Sequence, residues 1–248
     1  MTEDRKIAFI TGAAGAIGTA TARRLAHDGY ALALADQKPP IDAHTDGSLL
    51  LTLDVRSQDD VRAAVDRILA HYGRIDVLVN VAGITSFGSA QQLSEAEWQR
   101  VLDINLSGSF RCCQAVLPAM RAQGSGRIVN LGSVLGKNGG NTRPWIDPSE
   151  QKGSGNVAYG VSKAGVHAMT AYLAREVASL GITVNAVAPG PVASAMTTAL
   201  PPAIKSMIPV GRMGVPNDVA AVIAFLVSDA AAFITGEVID VNGGMWCD

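Results

Sequence analysis

Cysteine is scarce in this chain, with three in 248 residues. Cys112 and Cys113 are adjacent and Cys247 stands near the C-terminus, an odd set that makes a poor disulfide framework and points to a reducing, cytoplasmic setting. Cys112 and Cys113 are expected to pack on a helix. Histidine is also sparse. None of His27, His44, His71 and His167 stands at metal-ligand spacing from another histidine or cysteine, so no metal site is expected and surface or helix-flank places are. Charge of one sign is missing as well. The net charge is -2 and the signs are mixed, which argues against nucleic acid or an anionic membrane as partner. Long hydrophobic runs are absent. The apolar stretch at 220–227 is too short to span a bilayer, and the opening MTEDRK does not resemble a secretory signal. No linker or repeat divides the chain, so one domain over 1–248 is expected.

What is present is an alternation of short apolar runs and helical patterns. Strands are expected at 7–11, 31–36, 49–55, 76–80, 127–133, 182–190 and 236–244. Helices are expected at 16–28, 57–72, 157–180 and 215–228, with interrupted helical material at 93–120. Buried strands separated by helices imply an α/β fold, a doubly wound parallel sheet of about seven strands covered on both faces. Two segments break the rhythm. Residues 136–156 carry five glycines, two prolines and a tryptophan, and 191–211 carry four prolines among apolar residues. Both follow strand ends on the side where such sheets bind ligands, so each is a candidate pocket wall or lid.

The first strand runs into a turn, Thr11-Gly12-Ala13-Ala14-Gly15-Ala16-Ile17-Gly18. Glycines at 12, 15 and 18 allow a tight turn with backbone close to a pyrophosphate at a helix N-terminus. Asp36 ends the second strand, where a carboxylate binds the ribose hydroxyls of NAD and repels the 2′-phosphate of NADP. NAD is therefore the expected cofactor, although Lys38 is near in sequence. Asp54 and Val55 follow the third strand, in reach of an adenine. After the fourth strand, Asn80, Ala82 and Gly83 permit close approach of backbone to cofactor.

The chemistry is carried by YGVSK at 159–163. Tyr159 and Lys163 share a helix face, and an ammonium one turn from a phenol can lower its pKa from about 10 and make it a proton-transfer group. Ser133, at the end of an earlier strand, and Asn105 complete the set.

With these residues in place the chain resembles the classical short-chain dehydrogenase/reductase family over essentially its whole length. The resemblance includes the glycine turn, the NVAG segment at 80–83, Asn105 in DINLSG, Ser133, YGVSK, the Pro-Gly at 189–190 and the GRMGVPNDVA at 211–220. It implies a Rossmann-type fold, hydride transfer, and self-association as a homotetramer or a dimer. It further implies that Tyr159 is the acid/base, that Lys163 lowers its pKa and holds the nicotinamide ribose, and that Ser133 orients the substrate oxygen. Asn105 would hold a water in the proton relay, and Pro189, Gly190, Val192 and Ser194 would line the nicotinamide end. There are three departures: Ala16 where the family turn usually has glycine, Ser194 where threonine is common, and a spacing of 26 positions from Ser133 to Tyr159, roughly twice the commonest family interval. The extra residues fall near 137–155 and are expected to border the substrate entrance, first as a solvated loop with one hydrophobic anchor; the alternative has Arg143 or Lys152 meeting an acidic group and Trp145 covering the substrate.

The resulting expectation is an NAD(H)-dependent oxidoreductase interconverting a secondary alcohol, such as a small polyol, and its ketone. The alternatives are a 3-oxoacyl thioester reductase and, in another class, a non-catalytic NAD-sensing scaffold.

Overall fold

The computed structural model describes residues 5–38, 47–140, 147–193 and 203–247. Seven strands form one sheet in the order β3-β2-β1-β4-β5-β6-β7, and every neighbouring pair is parallel. The strands are β1 (Ile7–Thr11), β2 (Ala31–Asp36), β3 (Leu49–Thr52), β4 (Val77–Asn80), β5 (Gly126–Leu131), β6 (Ile182–Pro189) and β7 (Val238–Val241). β3 and β7 are shorter than their apolar runs suggested. Both are edge strands with one neighbour, so their flanking residues have no second ladder to join.

The helices are α1 (Ala16–His27), α2 (Gln58–Tyr72), α3 (Glu95–Leu102), α4 (Gly108–Gln123), α5 (Val157–Val177), the short α6 (Ala203–Ser206) and α7 (Pro216–Val227). Strand period two divides the core in two. Ala8, Ile10, Leu32 and Leu34 point to one face, where Leu25 of α1 and Ile223 of α7 cover them. Ile7, Phe9, Ala33 and Leu78 point to the other, under Ile68 of α2, Val116 of α4 and Leu173 of α5. Cys112 and Cys113 are fully buried on α4, as their apolar setting suggested.

The interruption expected within 93–120 is a π-helical turn, Asp103–Ser107, which joins α3 to α4 and carries Asn105. Single π turns inside α-helices re-aim one side chain and recur at functional sites. The α5 helix is capped by Asn156, whose side-chain oxygen accepts from the Tyr159 N–H. That cap sets the first turn and so the place of Tyr159. Chain order reverses between β1 and β4, which opens a crevice at their C-terminal ends.

Candidate active site

A cavity of about 740 Å³ lies over the C-terminal ends of β1, β4, β5 and β6, within the range of small-molecule sites. The turn after β1 forms its floor. Gly12 has φ +67, and a Cβ there would stand 2.5 Å from the Ala82 nitrogen, so the turn and the exit of β4 touch through bare backbone. Gly15 caps α1, and Gly15, Ala16 and Ile17 line the cavity. Gly18 does not. A Cβ on it would stand 2.1 Å from the Gly12 carbonyl oxygen, so Gly18 lets α1 pack under its own turn. The departure at Ala16 is accommodated at the first helical position without a positive φ.

Asp36 lines the cavity, where its carboxylate accepts from the Ala14 N–H at 3.1 Å and the Lys38 N–H at 3.4 Å. Val55, Ala82, Gly83, Pro189, Gly190 and Val192 also line it. Besides Gly18, two expected contacts lie elsewhere. Asp54 is bound by Arg56 at 2.6 Å, which holds its carboxyl down to about 2, and it stands outside the cavity wall. Asn80 is buried beneath the wall, donating to Asn130 at 2.9 Å and to the Ser109 carbonyl at 3.3 Å. It fastens β4 to β5 and α4 rather than facing a ligand. Ser194, Arg143 and Trp145 lie outside the described residues.

Ser133, Tyr159 and Lys163 meet at the far end of the cavity. Ser133 follows β5 in extended backbone, and its hydroxyl accepts from the Leu135 N–H at 3.2 Å. The Ser133 hydroxyl lies beside the Tyr159 phenol, and both line the cavity. Lys163 is 3% exposed, and its ammonium donates to the Leu131 carbonyl at 2.7 Å and lies 5.9 Å from the centre of the Tyr159 ring. Burial depresses Lys163 from 10.5 to about 8. Burial also raises the Tyr159 phenol above its ordinary value, and the Ser133 hydroxyl opposes this only in part. The net shift of the phenol in this structure is upward, with no lowering by the ammonium among its causes. Desolvation of the phenolate is the larger effect, and the ammonium is turned toward a backbone carbonyl.

Asn105 is fully buried. Its amide donates to the Ile84 carbonyl and to the Ser162 hydroxyl, each at 3.0 Å, while its oxygen accepts from the Ile84 N–H at 2.8 Å. Both amide hydrogens are committed to a clasp between the exit of β4 and α5. A Cβ on Gly83 would lie 3.3 Å from the Asn105 oxygen and 3.5 Å from the Lys163 ammonium. Glycine there leaves room for these two groups beside the exit of β4.

The segment near 137–155 does border the cavity. Gly140, Glu150 and the run 153–155 line it, and Gly155 bridges to Phe87 across the mouth. Lys137 is turned away, to Asp240 at 3.0 Å and the Val238 carbonyl at 3.2 Å on β7. Lys152 is exposed and not part of the wall. One residue beside the site escaped the sequence reading. His167, one turn beyond Lys163, accepts from the Ser133 N–H at 3.4 Å. The available signal was the pair of glycines flanking the serine in GSVLG at 132–136, which make room for a ring. Among the described residues no cluster of His, Cys, Asp and Glu could hold a metal ion, and no helix is long and apolar enough to cross a membrane.

A parallel sheet with a glycine turn beneath a cleft, an acid at the end of β2 and a tyrosine–lysine pair on one helix define a dinucleotide-binding oxidoreductase scaffold. Comparison with known proteins agrees. A family profile described as enoyl-(acyl carrier protein) reductase matches residues 12–246. The chain is 41% identical over 254 aligned positions to 3-oxoacyl-[acyl-carrier-protein] reductase FabG of Staphylococcus aureus, covering 97% of this chain and 98% of the relative. It is 38% identical to the FabG of Vibrio cholerae, covering 99% of each. A solved structure titled as that of gox2181 superposes with a TM-score of 0.87 at 35% identity, covering 98% of this chain and 96% of that one. The chain belongs to the short-chain dehydrogenase/reductase family and is a nicotinamide-dependent oxidoreductase.

Proposed function

We propose that this protein reduces a 3-oxoacyl thioester to the 3-hydroxyacyl thioester with NADH. The observation that carries the chemistry is the meeting of Ser133, Tyr159 and Lys163 at one end of a cavity whose other end holds Asp36. The relatives named as 3-oxoacyl reductases support the thioester over the polyol first expected from the sequence. The glycine turn, Asp36 and the open backbone at Gly83 fit a dinucleotide, and when bound its reduced nicotinamide supplies the hydride. Ser133 holds the substrate C3 oxygen beside the Tyr159 hydroxyl. Tyr159 donates its proton to that oxygen as negative charge develops there. The protonated phenol is the form this step requires, and burial shifts Tyr159 toward it. Lys163 then offers positive charge near the tyrosinate, and Asn105 keeps the Lys163-bearing helix fixed against the exit of β4.

Asp36 supports NADH over NADPH, because a 2′-phosphate at that strand end would meet its carboxylate. A secondary alcohol or polyol remains the second reading, favoured by the inserted segment that borders the cavity. An idle scaffold draws no support from a site in which these groups converge. Self-association as a homotetramer, with a dimer as the simpler form, belongs to the same proposal. It is supported by Phe110 on α4 and by Val161 and Tyr172 on α5, all exposed. A reducing cytoplasm suits the free thiols at Cys112 and Cys113.

The test is turnover of acetoacetyl-coenzyme A with NADH and with NADPH, beside a panel of simple ketones and ketoses. Reduction of the thioester with preference for NADH supports the proposal. Turnover confined to ketoses selects the second reading, and preference for NADPH overturns the role given to Asp36.

A further inference from the structure

We propose that His167 is a positioning residue of the reaction, setting the place of Ser133 through the Ser133 backbone. The inference rests on the reading of Ser133 above as the residue that orients the substrate oxygen.

Tyr159, Lys163 and His167 are spaced four residues apart on α5 and so form one stripe of the helix. The first two face the cavity, while His167 stands behind Ser133, outside the cavity wall. The Ser133 N–H points to its Nε2 at 3.4 Å. An imidazole nitrogen accepts a hydrogen bond only with its lone pair free, so Nε2 is unprotonated and the ring hydrogen is on Nδ1.

The surroundings are shaped to this ring. A Cβ on Gly132 would stand 2.2 Å from Nε2, and a Cβ on Gly136 would stand 2.9 Å from Cε1. The imidazole therefore sits in a slot made by the two glycines that flank the serine-bearing turn, and neither can carry a side chain without displacing it. Ser133 itself is held at several points. Its hydroxyl accepts from Leu135 N–H, its carbonyl accepts from Gly136 N–H at 3.0 Å, and the preceding Gly132 N–H donates to Val187 at 2.8 Å. His167 supplies the partner for the remaining backbone group. One rigid helix thus presents the proton donor, the lysine and the group that sets the serine, so their mutual distances depend on a single element.

The test uses the full-length protein, with NADH and acetoacetyl-coenzyme A as probes. His167→Leu removes the acceptor, and His167→Gln restores one in similar volume. The expected result is a roughly ten- to hundredfold fall in kcat for His167→Leu, the scale of a small misplacement of a reacting group. NADH affinity and the urea midpoint stay near those of the unaltered protein, and His167→Gln recovers most of the rate. Imidazole ¹⁵N NMR of the unaltered protein is expected to show Nε2 without hydrogen, a readout independent of turnover. A hydrogen on Nε2 overturns the proposal, as does full kcat in His167→Leu. Equal losses in both variants that follow a drop in urea midpoint also overturn it, by reducing His167 to packing. Ser133→Ala measured beside them separates the two readings. Full turnover by that variant removes the role of Ser133, whereas low turnover by it with full turnover by His167→Leu removes only the role of His167.

Discussion

Replacing Lys163 by methionine should make the dinucleotide-free protein more stable at neutral pH while it disables the enzyme. In the unfolded chain this lysine titrates near its ordinary 10.5, and in the folded site burial holds it at about 8. Below pH 8 both states carry the proton, and the folded state bears the full cost of a desolvated ammonium. Between pH 8 and 10.5 the folded state has lost the proton and the unfolded state keeps it, so stability rises with pH across that window. One pH unit corresponds to about 1.4 kcal/mol. From pH 7 to 9.5 the protein should therefore gain about 2 kcal/mol relative to Lys163→Met, which has no such proton. Loss of the bond to the Leu131 carbonyl costs the variant about 1 kcal/mol at every pH and does not alter this difference. Urea denaturation of both proteins at pH 7 and pH 9.5, with kcat measured in parallel, reads the effect. Two stability curves that run parallel over this range would refute the argument, because Lys163 would then titrate alike in the folded and unfolded states.

The remaining predictions address the proton donor, the cofactor and the layer beneath the site. Tyr159→Phe should lower kcat at least about a hundredfold in steady-state assays while NADH binding, followed by fluorescence, is unchanged. Asp36→Ser should shift the ratio of kcat/KM for NADH over NADPH by roughly tenfold or more toward NADPH, by removing a negative charge from the strand end that faces the ribose. Asn130 is fully buried between Asn80 at 2.9 Å and Thr170 at 3.0 Å, so Asn130→Leu leaves the Asn80 amide short of a partner. The expected cost is about 2–3 kcal/mol in urea unfolding, with the cofactor affinity changed little.

The order of strands and helices was legible in the sequence because each buried parallel strand is a short apolar run and each helix repeats at a different period. The glycine turn was legible in the same way, since Gly12 and Gly18 are demanded by backbone contacts that no other residue permits. Tyr159 and Lys163 could be paired because four residues on a helix fix their common face before any tertiary contact forms. Asp36 could be placed because the acid terminates β2, and strand ends in such sheets border the crevice. Tertiary structure alone decided the electrostatics. Sequence spacing brought an ammonium near a phenol, but the depth of burial and the pull of the Leu131 carbonyl determine that desolvation governs both groups. It also decided which polar residues face the cavity. Asn80 and Asp54 occupy positions that read as cofactor contacts, yet Asn130 and Arg56, distant or adjacent in sequence, draw them away. The sequence placed His167 only on a surface or helix flank, because its partner lies 34 residues earlier and only the packing of α5 against the turn after β5 brings the two together. Local pattern is set by chain geometry, whereas burial and the choice of hydrogen-bond partner depend on which distant segments the fold makes neighbours.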